Sequence, residues 1–238
     1  MGGETSSTST ECTESIWPYV WAIREPECLD WKTGLNSEEI QVLAARQADL
    51  PVPITTTIYL SDHKSVCDVQ RLSALGITHV LNVAGVTARG PLDEYKSQGI
   101  TYKEVNADDE EGYDMLGNHL QECRSFIENA AISGKCVVHC VAGINRSGVI
   151  VAAMHLLSGD PDSNVLKTVA HCRRHRSNCF LWNHSFQVQL VQFAKLHNLL
   201  GPPPGDTGCC VAELPPPYIA EDEITNAKAK KKSIKNLF

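Results

Sequence analysis

Long apolar runs are missing from this sequence of 238 residues. No stretch reaches the ~18–20 consecutive apolar residues that a helix needs to span a bilayer. The N-terminal residues also lack the basic block followed by an apolar block that is typical of a secretory signal. We therefore expect neither a transmembrane helix nor export, and we predict a cytoplasmic protein, with the nucleus or a membrane surface as alternatives.

An excess of positive charge is also missing. Lys and Arg number 21 against 28 Asp and Glu, which gives a formal net charge of −7. Removing five lysines near the C-terminus from this count leaves −12 for the rest; they are Lys228, Lys230, Lys231, Lys232 and Lys235. A domain with this negative net charge is not typical of nucleic-acid-binding proteins, so no nucleic acid partner is expected.

Cysteine pairs at metal-binding spacing are absent too. The chain has ten cysteines, but no Cys-x2-Cys pair meets a histidine or a second pair at the spacing of a zinc site. Several cysteines fall inside apolar segments, and disulfide scaffolds are typical of much shorter secreted chains. We expect reduced thiols, no metal and no other cofactor.

Composition divides the chain into four parts. Residues 1–16 are rich in Ser, Thr and Glu and are predicted to form a disordered leader. Residues 17–53 hold three of the four tryptophans and are predicted to pack, as an extension, on the domain that follows; a partner-docking role is the alternative. A compact domain is expected over 54–200, followed by a Pro-rich and then Lys-rich disordered tail over 201–238.

Strand and helix patterns alternate within residues 54–200. They predict strands at Ile58–Leu60, His79–Val83 and Thr101–Val105, and helices at Val66–Leu75, 116–132, Asp160 to about Arg174, and 184–200. The last helix is expected to bury Phe186, Leu190, Phe193 and Leu196. This alternation predicts an α/β fold with a central, largely parallel sheet flanked by helices, which binds ligands beyond the carboxyl ends of its strands.

The stretch from Cys136 to Gly148 has the pattern of an anion site. It reads as a buried strand that stops at Cys140, a loop that ends in Arg146-Ser147, and an apolar helix. Loop amides and the positive helix end favour a phosphate-sized dianion, and the Arg146 guanidinium matches two phosphoryl oxygens. The same field favours a nucleophilic thiolate at Cys140. The alternative, an inert buried Cys140 and a surface Arg146, leaves the strand, loop and helix arrangement unexplained.

The run from His139-Cys140 to Arg146-Ser147 resembles the H-C-x5-R-S/T signature loop of the cysteine-dependent protein tyrosine phosphatase superfamily. Gly76–Val83, Gly99–Tyr102 and Phe186-x-x-Gln189-Leu190 are similar to segments of dual-specificity phosphatases. The resemblance covers about 54–200 and implies a protein tyrosine phosphatase-like fold with a small, atypical dual-specificity catalytic domain.

The resemblance also implies roles for individual residues. Cys140 would form a phosphocysteine, while Arg146 and the loop amides would stabilise the transition state. Asp109, with Asp108 as the next candidate, would be the general acid. Ser147 would donate a hydrogen bond to the departing thiolate, and His139 would orient the loop and favour the charged cysteine. The implied phosphate-binding residues are Val141, Ala142, Gly143, Ile144, Asn145 and Arg146.

Two of these assignments have ordinary alternatives. The acidic run from Asp108 to Glu111 is also typical of a solvated loop. Arg173 lies near the position of an arginine that contacts a second phosphate in related phosphatases, which makes it a candidate specificity residue. Its basic run also suits a polar helix end.

The uncharged interior of the loop favours single phosphate esters. The predicted activity is hydrolysis of phosphotyrosine and of phosphoserine or phosphothreonine in proteins. The alternatives are a phosphatase of RNA 5′-triphosphate ends or of phosphoinositides, and a non-catalytic phosphoprotein-binding scaffold. The expected partner is a phosphorylated protein, with a protein kinase as one candidate.

The first six residues match the M-G-x-x-x-[ST] pattern for myristoylation of Gly2, a pattern short enough to occur by chance. With the Lys-rich end, a myristoyl chain at Gly2 would give weak membrane association. A nuclear import signal or a solvated tail is the alternative for the lysines.

Overall fold

The computed structural model describes residues 15–25, 27–159 and 163–205, so most of the predicted leader and residues 206–238 of the predicted tail lie outside the described residues. Its strands are β1 (Val52–Pro53), β2 (Ile58–Ser61), β3 (Ile77–Asn82), β4 (Thr101–Glu104) and β5 (Lys135–His139). Its α-helices are α1 (Trp17–Arg24), α2 (Ser37–Ala48), α3 (His63–Val66), α4 (Val69–Ala74), α5 (Leu92–Ser97), α6 (Met115–Ser133), α7 (Arg146–Leu156), α8 (Val165–Arg176) and α9 (His184–Leu196). A 3-10 helix covers Gly85–Ala88.

These strands form one sheet in the order β1-β2-β5-β3-β4. β5 pairs in parallel with β2 and β3, β4 pairs in parallel with β3, and β1 adds an antiparallel edge. The register places His139, the last residue of β5, between Ser61 of β2 and Asn82 of β3. Three parallel strands therefore end together, at the edge where α/β sheets bind ligands. The predicted α/β fold with a largely parallel sheet is confirmed.

Both faces of the sheet are covered, which explains why β5 is apolar throughout its centre. Val138 belongs to the core under α6 and α7, while Val137 belongs to a second core with Leu72 and Tyr95. α9 packs against α6 and α7. Nearly every side chain of α7 is buried, so the helix that follows the predicted anion loop is fixed by packing along its length.

The N-terminal extension shares the main core with the sheet. α1 contacts α8 and α9, and its Tyr19 and Ile23 are fully buried. The Tyr19 hydroxyl donates to the carbonyl oxygen of Gly201 at 2.8 Å. Trp31 is buried as well, whereas Trp17 and Trp21 are exposed. The extension is thus packed through its aliphatic and tyrosine side chains more than through its tryptophans.

The prediction of one continuous helix over Val66–Leu75 is wrong. The structure has two short helices, α3 and α4, separated at Cys67 and Asp68. The Asp68 side chain accepts a hydrogen bond from Arg71 N–H at 3.0 Å. An aspartate that caps a new helix in this way interrupts the apolar spacing that predicted a single one.

The ends of the last two helices also differ from the sequence predictions. Residues 160–162 lie outside the described residues, and α8 begins at Val165, where the Asn164 side chain accepts from Lys167 N–H at 3.0 Å. α9 ends at Leu196, and this side chain is 79% exposed instead of buried. Within the described ranges, no helix is both long enough and apolar enough to cross a membrane.

Candidate active site

The predicted phosphate loop runs from Cys140 to Asn145, between β5 and α7. Gly143 has φ +66°, and a side chain there would overlap the backbone carbonyl of Ser61 at the end of β2, so only glycine fits this close approach. His63 N–H donates to the carbonyl oxygen of Val141 at 3.1 Å. The loop is therefore folded tightly against the end of β2.

Successive carbonyl groups of the loop are bound by residues outside it. Arg176 donates from Nη2 to the Ala142 oxygen at 3.0 Å and from Nε to the Gly143 oxygen at 3.2 Å. Leu181 N–H donates to the Ile144 oxygen at 3.2 Å. These bonds hold the loop carbonyl groups away from the sulfur, while Gly143 N–H donates to Cys140 Sγ at 3.3 Å. Such a turn of backbone N–H groups is the kind of concave site that binds an anion.

Cys140 follows β5 directly and is 1% exposed. Its Sγ accepts hydrogen bonds from Gly143 N–H at 3.3 Å and from Ser147 Oγ at 3.2 Å. The N-terminus of α7, which begins six residues later, adds its positive end to the same region. Two hydrogen-bond donors and a helix N-terminus therefore surround the Cys140 sulfur.

His139 is fully buried, and its Nδ1 lies 3.2 Å from the carbonyl oxygen of Cys140. A carbonyl only accepts, so Nδ1 carries the proton in this bond. Burial lowers the pKa of His139 to about 4, so the ring is neutral at neutral pH. A neutral ring supplies no positive charge to Cys140, so of the two roles predicted for His139 only that of orienting the loop, through this hydrogen bond, stays a prediction.

Arg146 and Asp109 meet beside the loop. Arg146 Nη1 donates to the carbonyl oxygen of Ala107 at 3.2 Å, and Arg146 Nε lies 3.6 Å from Asp109 Oδ2. The Arg146 side chain is 12% exposed. The guanidinium is therefore held in place by the segment that carries Asp109.

Two amide side chains fix the carboxylate of Asp109. Asn145 Nδ2 donates to Oδ2 at 3.3 Å, and Asn183 Nδ2 donates to Oδ1 at 3.2 Å. Asp108 is exposed and, among the residues that the structure describes, makes no hydrogen bond or ion pair to the phosphate loop. Of the two predicted candidates, Asp109 is the one in contact with the loop.

Residues 58–196 match the family model described as dual specificity phosphatase, catalytic domain. The chain belongs to this family.

Curated relatives agree with this membership. The chain is 38% identical over 102 residues to Dual specificity protein phosphatase 26 of Homo sapiens, covering 42% of this chain and 48% of that protein. It is 32% identical over 139 residues to Dual specificity protein phosphatase 22 of Mus musculus, covering 58% of this chain and 70% of that protein. The chain thus spans about half the length of the first of these relatives.

Solved structures show the same fold. Human DUSP28 superposes with a TM-score of 0.53 at 22% identity, covering 62% of this chain and 94% of that one. A mouse putative dual specificity phosphatase complexed with zinc tungstate gives a TM-score of 0.54 at 21% identity, covering 63% and 91%. The predicted protein tyrosine phosphatase-like architecture is confirmed.

The predicted specificity role of Arg173 does not fit the position of this residue in the phosphatase fold. Arg173 is 2% exposed, and its Nη2 donates to the carbonyl oxygen of Ile23 in α1 at 2.6 Å. Burial lowers the pKa of Arg173 to about 10. Arg173 therefore connects α8 to α1, and Arg176, three residues further on, is the arginine of this run that contacts the phosphate loop.

Asn145, predicted as a phosphate-binding residue, also attaches the phosphate loop to the segment before α9, and the sequence did not predict this attachment or the part of Asn183 in it. The segment between α8 and α9, residues 177–183, is called here the α8–α9 segment. Asn145 Oδ1 accepts hydrogen bonds from Trp182 N–H at 2.8 Å and from Asn183 N–H at 3.0 Å. The only signal in the sequence was that Asn145 and Asn183 are polar residues beside predicted helix starts.

Proposed function

We propose that this protein hydrolyses phosphotyrosine and phosphoserine or phosphothreonine esters of proteins through a phosphocysteine intermediate. The observation that carries the proposal is the position of Cys140 Sγ, which accepts from Gly143 N–H and Ser147 Oγ inside a loop that ends at Arg146. Membership of the dual specificity phosphatase family supports the same chemistry.

The first step transfers the phosphoryl group to sulfur. The Cys140 thiolate attacks phosphorus, the sulfur–phosphorus bond forms while the ester bond breaks, and Asp109 gives its proton to the departing oxygen. Arg146 and the loop amides bind the equatorial oxygens, where the charge of a loose transition state lies. Since Asp109 Oδ2 lies 3.6 Å from Arg146 Nε, the proton donor is adjacent to the group that binds the phosphoryl oxygens.

The second step releases phosphate. Asp109, now a carboxylate, takes a proton from the water that attacks phosphorus, and the sulfur–phosphorus bond breaks to give inorganic phosphate. The thiolate that returns on Cys140 is stabilised by the Ser147 hydroxyl at 3.2 Å. Because the proton taken from this water leaves Asp109 protonated again, the enzyme is back in its starting protonation state.

The composition of the loop supports a single phosphate ester as the substrate. Val141, Ala142 and Ile144 bring no charge, and the Asn145 side chain is already bound to Asp109 and to the α8–α9 segment. Phosphoinositides and RNA triphosphate ends carry additional phosphates that these residues do not neutralise. A non-catalytic scaffold is disfavoured because a nucleophile, an arginine and an acid are assembled together.

The proposal is tested by turnover on phosphotyrosine and phosphothreonine peptides beside RNA 5′-triphosphate and a phosphoinositide. We expect hydrolysis of both peptides, and no hydrolysis by Cys140→Ser, which should still bind them. Cys67→Ser is the matched control, because Cys67 is an exposed thiol and its loss should leave turnover unchanged. Inactivity of the wild type on both peptides, or an unchanged rate in Cys140→Ser, would refute the proposal.

The proposal extends to the partner and the location. A phosphorylated protein kinase is one candidate substrate, and the protein is expected to be cytoplasmic, with nuclear or membrane-associated pools as alternatives. Support for weak membrane association is the myristoylation pattern at Gly2 together with the five C-terminal lysines. Fractionation of wild type against Gly2→Ala tests this, and an identical soluble distribution of the two would contradict it.

A further inference from the structure

The residues that carry Asp109 form a long connection with neither helix nor strand. This acid loop, residues 105–114, joins β4 to α6. A general acid works only when it is held within hydrogen-bonding reach of the departing oxygen, and small displacements are costly to the rate. The backbone of the acid loop is fixed at its start, where Val105 N–H donates to the Asn82 carbonyl oxygen of β3 at 2.8 Å and Ala107 accepts from Arg146. Beyond Ala107, side chains provide the attachment to the rest of the site.

One such attachment is made by Glu111, two residues after Asp109. Glu111 Oε1 accepts from His184 N–H at 3.0 Å, and Glu111 Oε2 accepts from Ser185 N–H at 3.0 Å. These are the first two residues of α9, whose N–H groups have no partner within the helix. A carboxylate also interacts favourably with the positive end of a helix of this length.

The same helix end contacts Asp109 directly. Asn183, which precedes α9, donates from Nδ2 to Asp109 at 3.2 Å, while its Oδ1 accepts from Phe186 N–H at 3.3 Å. Asn183 is thus fixed by the helix on one side and binds the acid on the other. Glu111 and Asn183 together attach the acid loop to the start of α9.

Further along α9, Gln189 attaches the end of the acid loop. Gln189 Oε1 accepts from Met115 N–H at 2.9 Å, and Gln189 Nε2 donates to the carbonyl oxygen of Tyr113 at 2.7 Å. α9 in turn packs on α7, whose N-terminus adjoins the phosphate loop. α9 therefore contacts both parts of the site: it binds the acid loop directly, and it packs on the helix that follows the phosphate loop.

We propose that Glu111 is a positioning residue that holds Asp109 over the phosphate loop by binding the N-terminus of α9. The inference rests on the proposed function, in which Asp109 protonates the departing oxygen. Glu111 itself touches no reacting atom. Its loss would remove the attachment nearest to Asp109 on its C-terminal side, while leaving Cys140 and Arg146 in place.

Leaving-group dependence distinguishes this role from a general structural one. The more basic the departing oxygen, the more the first step depends on a positioned acid. We expect Glu111→Ala to lower kcat/KM for phenyl phosphate by about tenfold, which is a part of the 10²–10⁴-fold that a positioned acid contributes. The loss should be much smaller for an aryl phosphate with a weakly basic leaving group, such as difluoromethylumbelliferyl phosphate. Glu111→Gln, which keeps one acceptor oxygen, should fall between wild type and Glu111→Ala.

A double-mutant cycle tests whether Glu111 acts through Asp109. In the Asp109→Asn background, Glu111→Ala should cause little further loss on phenyl phosphate, because the group that it positions is gone. Glu110→Gln is the matched control: Glu110 is the neighbouring carboxylate and makes no contact to α9 among the described residues, so its rates should match wild type. Equal losses on both leaving groups, or additive losses in the cycle, would overturn the proposal.

A readout independent of turnover separates this inference from the proposed function. Amide hydrogen exchange of His184 and Ser185 and of the acid loop should accelerate in Glu111→Ala, while exchange in β5 and α7 stays as in wild type. If the wild type hydrolyses neither aryl phosphate, the proposed function fails, and the exchange measurement alone shows whether Glu111 holds the loop. Unchanged exchange in Glu111→Ala would refute the positioning role whatever the activity.

Discussion

Ser147 is fully buried and donates a hydrogen bond to Cys140 Sγ at 3.2 Å. In the second step of the proposed reaction this donor stabilises the thiolate that leaves phosphorus. A hydrogen bond to a charged group contributes about 1.5–3 kcal/mol, so we expect Ser147→Ala to lower kcat by about 10- to 100-fold and to make the phosphocysteine accumulate. Rapid-quench kinetics should show a stoichiometric burst of the leaving group followed by slow turnover.

An exposed serine serves as the control for this variant. Ser97 ends α5, and its hydroxyl donates to the carbonyl oxygen of Glu94 in the same helix. Ser97→Ala should show no burst and wild-type kcat. A Ser147→Ala variant that loses rate without accumulating a phosphoenzyme would place the role of this hydroxyl in the first step instead.

Asp108 and Asp109 are neighbours in sequence but differ in their contacts. Asp109 accepts from Asn145 and Asn183, whereas Asp108 faces solvent. We expect Asp109→Asn to lower kcat/KM for phenyl phosphate by about 10²–10⁴-fold, because an amide has no acidic proton to give to the departing oxygen. Asp108→Asn should stay close to the wild-type kcat/KM. The reverse pattern would assign the acid to Asp108.

At the scale of the elements, α8 carries two arginines with different tasks. Arg173 binds the Ile23 carbonyl oxygen in α1, and Arg176 binds two carbonyl oxygens of the phosphate loop. We expect Arg173→Ala to lower the free energy of unfolding by about 2–4 kcal/mol, through lost packing and an unsatisfied carbonyl, with kcat/KM of the folded enzyme unchanged.

Arg176→Ala is the matched variant one turn away. It should leave the free energy of unfolding nearly unchanged and lower kcat/KM by about tenfold, because the loop carbonyls lose their donors and the amides lose their alignment. Urea unfolding and steady-state kinetics on the same two proteins check this crossed pattern. If Arg173→Ala impaired catalysis at wild-type stability, the specificity role predicted from the family resemblance would be restored.

The sequence predicted elements whose signal is local. The strands around Ile58, Val80 and Val138 follow from short apolar runs, and the phosphate loop follows from nine consecutive residues, His139–Ser147. Helix ends were less predictable, because a single side chain such as Asp68 or Asn164 decides them by accepting from a backbone N–H. Leu196 was predicted to be buried because helical spacing continues past the point where α9 leaves the core.

Contacts between distant residues could not be predicted from one sequence. The bonds from Glu111 to α9 join residues 73 and 74 positions apart, and no local pattern marks such a pair. The alternative that the acidic run is a solvated loop holds for Asp108 and Glu110, which are exposed without contacts to the site among the described residues. Asp109 and Glu111 are exposed as well, but their carboxylates accept hydrogen bonds from the amide side chains beside the phosphate loop and from the start of α9. Which arginine of α8 meets the loop likewise depends on where α1 packs.

At the scale of the whole molecule, one buried histidine, His139, and one partly buried histidine, His175, couple stability to pH. Burial lowers the pKa of His139 to about 4, and burial together with nearby His171 and Arg46 lowers the pKa of His175 to about 3. An ordinary histidine titrates near 6.5. Between the ordinary and the lowered values, the unfolded chain binds protons that the folded protein does not. Stability is therefore full above about pH 6.5 and falls as the pH falls, by up to about 1.4 kcal/mol per pH unit for each group.

The imidazole rings of His175, His171 and His155 lie in a row. The ring centre of His171 is 4.7 Å from that of His175 and 4.6 Å from that of His155. We expect the free energy of unfolding in urea to fall between about pH 6.5 and pH 5, and His175→Gln to fall less steeply because glutamine takes up no proton. Carboxylates such as Glu104, whose pKa is lowered by hydrogen bonds from Arg89, lose their contribution to stability only below this pH range.

His197→Gln, at an exposed position, is the control and should keep the wild-type slope. If the unfolding free energy of His175→Gln changed with pH as steeply as that of wild type, the loss of stability in acid would have to arise from His139 at the phosphate loop. Activity would then be lost over the same pH range.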